Sequence, residues 1–194
     1  MRLHVEWDRE IFDSHFHIGK FGTQDSAIGM VDLFKSRELV NHKQIKKHMK
    51  VNNITKGVVS PHYTSDLKHP FVEFNPIIAD AIDKFHNLFG VMWVNPLEPS
   101  LNADVMDAAV LNEKIVGLKM NPNTWGKGVT PDPKTWSPDF KNAMEDVLDF
   151  AAKNKFVLQM STGLGNSEIN RYDNFMEKYG HNQRIHFLHM GGSV

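Results

Sequence analysis

The sequence predicts an α/β fold: a TIM-like (β/α) barrel, with about six βα units present in this chain and residues 1–194 forming a single domain. Three observations lead there. Short apolar runs alternate with longer segments of helical pattern, the order that builds a parallel sheet covered by helices. The runs are continuously apolar, as in strands buried on both faces. Polar residues recur at the C-terminal ends of these runs: His15 and His17, Ser60 and His62, Asn95, Lys119 and Asn121, Ser161, and His189. A barrel builds its active site at that end. The competing architecture, a doubly wound sheet, would be favoured by a Gly-x-Gly-x-x-Gly turn after the first strand, and that turn is absent.

The first strand is expected over residues 10–17, followed by a Gly-rich polar stretch over 19–29. A helical segment runs from about residue 36 to 52, with Leu39, Val40, Ile45, Met49 and Val51 loosely on one face. The second strand covers 54–60 and ends at Pro61, and a helix follows over about 71–87, with Ile77, Ile78, Ala81, Ile82 and Phe85 at helical spacing. The third strand covers 89–94. Ser100 is the expected N-cap of the next helix, which ends near Asn112. The fourth strand covers 115–120, and a Pro- and Gly-containing loop over 123–138 leads into a helix ending near Lys153. Strand five covers 156–161, a helical segment 167–179, and strand six 184–189.

Composition narrows the function. Twenty-two basic residues stand against 23 acidic ones along the whole chain, for a net charge of −1. That balance excludes an electrostatic nucleic-acid binder, which would show a basic face or tail. The basic stretch around His42 and His48 (Lys43, Lys46, Lys47, Lys50) reads as the solvated face of a helix. No run approaches the ~18 consecutive apolar residues of a membrane span. The N-terminus lacks the apolar centre of a signal peptide, so the expected location is cytoplasmic. With no cysteine there is no disulfide, thiolate zinc site or cysteine nucleophile.

The chemistry centres on strand one. Asp13, His15 and His17 alternate with Phe12, Ser14 and Phe16, so all three polar side chains share one face. Two imidazoles so placed can bind one divalent cation through nitrogen. Asp13 lies one step deeper, where its carboxylate could orient a ligand or its neighbours. His189, at the end of strand six, is positioned to reach the same pocket. Three imidazoles would then make a first shell for zinc or another first-row metal. His62 and Trp125 are candidate pocket-wall residues, with surface loop as the alternative for both.

Three motifs fall at matching points along such a barrel: Asp13-Ser14-His15-Phe16-His17, Gly117-Leu118-Lys119-Met120-Asn121-Pro122, and His189-Met190-Gly191-Gly192. Together they resemble the amidohydrolase superfamily, specifically the "amidohydrolase 2" branch of aminocarboxymuconate-semialdehyde decarboxylase-like metal-dependent hydrolases. The resemblance runs from residue 11 to the end. It implies a distorted (β/α)8 barrel that hydrolyses or decarboxylates small carboxylated substrates with one divalent metal. By position, His15 and His17 resemble the strand-one metal ligands, and His189 the strand-six histidine that activates water or binds substrate. Two departures accompany it. Ser161 stands where the family has a strand-five metal-ligating histidine, and a hydroxyl is a poorer zinc ligand than imidazole. The family's strand-eight aspartate, a metal ligand and proton carrier, has no counterpart in this sequence. Lys119 reads as a substrate-carboxylate or structural lysine rather than a metal-bridging one.

The expected function is a metal-dependent hydrolase or decarboxylase acting on a small carboxylated substrate through a metal-activated water. The metal would be zinc, with manganese or iron as alternatives. His189 and Asp13 are the expected catalytic residues, His15 and His17 the metal ligands, and Lys119, His62, Asn121, Ser161 and Trp125 the expected substrate contacts. The second reading is a catalytically defective barrel that binds a small molecule or serves as an oligomeric interaction protein. Strands one and six would carry open edges, so a homo-oligomer that covers them is expected.

Overall fold

Among the described residues, six parallel strands, taken in chain order and alternating with helices, curve into a half-barrel. The computed structural model describes residues 10–18, 42–61, 74–163 and 165–189. The strands are β1 (Ile11–Ile18), β2 (Ile54–Pro61), β3 (Leu88–Trp93), β4 (Ile115–Met120), β5 (Val157–Ser161) and β6 (Arg184–Leu188). Each pairs in parallel with the next, so order in space equals order in sequence. A doubly wound sheet would have placed the first strand in its middle. The sequence placed every one of these strands to within a residue at each end, and β4 without error.

The helices are α1 (His42–Val51), α2 (Asn75–Lys84), α3 (Pro99–Val110), α4 (Pro138–Asn154) and α5 (Asp173–Tyr179). The Gly-rich stretch over 19–29 and the expected first turns of the first helix lie outside the described residues. In α1, Ile45 and Met49 are buried while Lys43, Lys46, Lys47, His48 and Lys50 are exposed, the solvated basic face expected. One N-cap is corrected. The helix α3 begins at Pro99, after Glu98, and no side chain caps it, so Ser100 lies inside the first turn. Proline at the first helical position supplies the required φ and has no N–H to satisfy, which sets the start one residue earlier.

The clearest amphipathic pattern is in α4. Phe140, Ala143, Met144, Val147, Leu148 and Ala151 are buried, spaced by three and four residues on one face. Ser137 caps it by accepting from the Phe140 N–H at 3.2 Å, a contact worth about 1 kcal/mol. Phe140, Met144, Val147, Leu148 and Ala151 belong to one core cluster with Ile78, Ala81 and Ile82 of α2 and Val59, Met92, Leu118, Met120, Leu158 and Met160 on the sheet. Each such side chain contributes roughly 1.5–3 kcal/mol when fully buried. No helix among the described residues is long and apolar enough to cross a membrane.

The other face of the sheet mixes polar side chains with buried apolar ones such as Val91 and Trp93. Parallel register aligns Trp93 with Lys119, Lys119 with Gln159, and Gln159 with His186, forming one row across β3 to β6. Gly117 sets the spacing of that row. A Cβ there would sit 2.2 Å from the Val157 carbonyl oxygen, so only glycine allows β4 to approach β5 this closely.

Candidate functional site

The site starts from the alternation of β1. His15 and His17 project from the same face, and their Nε2 atoms converge to 3.0 Å, ring edge to ring face with centroids 4.4 Å apart. With both rings neutral, one nitrogen donates to the other. With a cation present, both can turn their lone pairs to it. Nitrogen ligands at about 2.1 Å and a right angle stand about 3.0 Å apart, and about 3.4 Å in a tetrahedron. The observed separation fits two ligands of one divalent ion. The His15 Nδ1 is buried with no hydrogen-bond partner among the described residues.

The surroundings hold His15 neutral. Its pKa is lowered to about 3, first by burial and then by the positive charges of Lys119 and His189, while hydrogen bonding with Gln159 works in the opposite direction. A neutral imidazole is the form that ligates metal. His189 is also shifted down, by burial and then by Lys119.

The structure specifies what Asp13 orients and narrows the expected trio of imidazoles. Asp13 does not touch either imidazole in the described contacts. Its Oδ1 accepts from the backbone N–H of His15 at 2.9 Å, beside the register shift between Asp13 and Phe16. Through this contact Asp13 holds the main chain that carries His15. The expected trio of imidazoles is a pair. Among the described residues no group of three or more His, Cys, Asp or Glu is gathered as a metal site. The ring of His189 lies edge-on to His15 with centroids 6.0 Å apart. His189 takes a left-handed backbone, φ 62°, which removes it from the strand and from the alternation that would aim its ring.

Lys119 is almost wholly buried, 2% exposed. Its Nζ donates to Ser60 Oγ at 3.1 Å and lies 5.3 Å from the centre of the Trp93 ring. Burial lowers its pKa to about 7. Ser161 ends β5 and is buried, and its backbone carbonyl accepts from the Tyr172 hydroxyl at 2.7 Å.

The other expected substrate contacts fare differently. The Asn121 side chain accepts from the Asn123 N–H at 3.0 Å and caps the short 3-10 helix Pro122–Thr124. Trp125 is 1% exposed and packs on Phe140 in the core rather than on a surface loop. The cap explains why, since it turns the chain back toward α4 immediately after β4. His62 lies outside the described residues.

Gln159 and His186 belong to this interior and were not anticipated. Gln159 Nε2 donates to the Ser14 carbonyl at 3.0 Å, joining β5 to β1, and lies 3.5 Å from His186 Nδ1. For Gln159 the signal was present, since it stands two positions before Ser161 and so on the same strand face; His186 stands three positions before His189, on the opposite face of the alternation, and no such pointer led to it.

No protein-family model matches the sequence. No curated protein matches it either. Solved structures do. A 2,6-dihydroxybenzoate decarboxylase complexed with 2,6-dihydroxybenzoate superposes with a TM-score of 0.58 at 11% identity, over 92% of this chain and 64% of its own. A 5-carboxyvanillate decarboxylase of Novosphingobium aromaticivorans, with manganese and 4-hydroxy-3-methoxy-5-nitrobenzoic acid, gives 0.56 at 13%, over 90% and 55%. An amidohydrolase of Burkholderia multivorans with bound zinc gives 0.53 at 10%, over 92% and 69%. The chain's half-barrel matches part of their barrel fold. That barrel is the fold that the motif resemblance implies. The chain spans between 55% and 64% of the length of the two decarboxylases.

Proposed function

We propose that this chain carries the metal and substrate site of a metal-dependent hydrolase or decarboxylase acting on a small carboxylated substrate. The observation that carries the reading is the 3.0 Å convergence of His15 Nε2 and His17 Nε2 on one face of the half-barrel. Structures that share the fold are decarboxylases and an amidohydrolase, and two of the three described above hold manganese or zinc. His15 and His17 fit zinc first, with manganese or iron as alternatives. A divalent cation held there would polarise a substrate carboxylate or carbonyl and lower the pKa of a water.

The chain's own residues do the rest. Asp13 holds the backbone of His15 in place, and Gln159 ties β5 to β1 across the interior. His189, beside His15 and shifted below its ordinary pKa, is neutral near pH 7 and able to accept a proton at the rim. A catalytically defective binding barrel is the second reading, favoured by the presence of two imidazoles rather than three among the described residues.

The test is metal content. The protein is purified without chelators and its bound metals are measured beside a His15→Ala/His17→Ala variant. Near-stoichiometric zinc, manganese or iron that disappears in the variant supports the site and justifies screening small carboxylic acids. Absence of metal from both proteins after reconstitution rejects the enzyme reading in favour of the binding barrel.

A further inference from the structure

Lys119 is the one buried Lys, Arg, Asp or Glu among the described residues. Buried charges in proteins are ordinarily paired, yet no carboxylate among the described residues meets this one. An ammonium has three N–H donors, and the described residues offer a single acceptor, Ser60 Oγ. Ser60 is fixed in that role. Its own hydroxyl donates to the Phe16 carbonyl at 3.3 Å, so it turns a lone pair, not a proton, toward Lys119. Two N–H directions of the amine are thereby left for an acceptor from outside. Beneath them lies the Trp93 ring, at 5.3 Å, and beside them, in register on β5, Gln159.

We propose that Lys119 is a carboxylate anchor, its amine oriented by Ser60 to hold the anionic group of a small acid whose other end faces His15 and His17. The inference rests on the reading of this interior as a substrate site and names how the acid is held. The ligand supplies the counter-charge that the described residues do not. Ser60 acts as a positioning residue, through Lys119.

Titration calorimetry with benzoate and with benzamide tests the anchor in wild type, Lys119→Met and Ser60→Ala, before and after treatment with a chelator. Metal content is measured on the same samples, so the metal site stands or falls separately. The expected result is that benzoate binds wild type, with or without metal, and benzamide does not. Lys119→Met should weaken benzoate at least tenfold and Ser60→Ala by a smaller factor, with both variants retaining the wild-type circular dichroism spectrum. Benzoate binding that survives Lys119→Met unchanged would overturn the anchor, as would equal binding of benzamide or no binding of benzoate by wild type. Binding that vanishes on chelation but persists in Lys119→Met would assign the carboxylate to the histidine pair instead.

Discussion

Lys119 of β4 reaches Ser60 of β2 across the intervening strand, Nζ to Oγ at 3.1 Å, and the contact joins residues 59 positions apart in sequence. Buried without a carboxylate partner among the described residues, the lysine stores a cost in the folded state that is open to measurement.

In the unfolded chain Lys119 titrates near its ordinary 10.5, and in the folded protein at about 7. Between those values the unfolded state binds the extra proton, so this group makes stability rise as pH climbs through the window. Below it the full penalty remains, on the order of a few kcal/mol. Lys119→Met, similar in shape and uncharged, should therefore raise the melting temperature at about pH 6 and have little effect at about pH 10. Thermal melts at the two pH values check this; an equal shift at both would mean that charge burial is not the cause.

His15 produces a dependence in the acid range. Its folded pKa of about 3 lies below the ordinary 6.5, so between these values only the unfolded chain takes the proton. Stability of the metal-free protein should fall as pH drops through that window. His15→Gln should flatten the fall, and urea titrations of both proteins at several pH values would reveal a difference or its absence.

Metal should stabilise through the same pair. Zinc at a hundredfold excess over its Kd adds about 2.7 kcal/mol to a protein that binds it only when folded. At this chain length that is roughly 5–10 °C in melting temperature. The rise is expected in wild type and not in His17→Ala. A rise of the same size in the variant would place the zinc elsewhere.

Gly117→Ala tests the packing beneath the site. A methyl group would meet the Val157 carbonyl oxygen at 2.2 Å and force β4 away from β5, at a cost of about 1–3 kcal/mol for overpacking. The loss should appear in the urea midpoint. Because Lys119 lies two residues on, benzoate affinity should fall with it.

What the sequence by itself determined is local. The two-residue period of a strand put His15 and His17 on one face, and alternating apolar runs and helical segments set the order and nearly the ends of six strands. Polar residues at the C-terminal ends of those runs pointed to the barrel, and the resemblance in three motifs implied the same fold. What only the tertiary structure decided is which polar groups meet. Gln159 reaches Ser14 over 145 positions of sequence, and Lys119 reaches Ser60, because strand register and sheet curvature bring them together. Asn121 became a cap, Trp125 went into the core, and His189 left its strand, each through a turn whose geometry no periodicity encodes. A side-chain period is a property of one strand's backbone. A site is a property of several strands at once, and depends on how far the sheet between them curls.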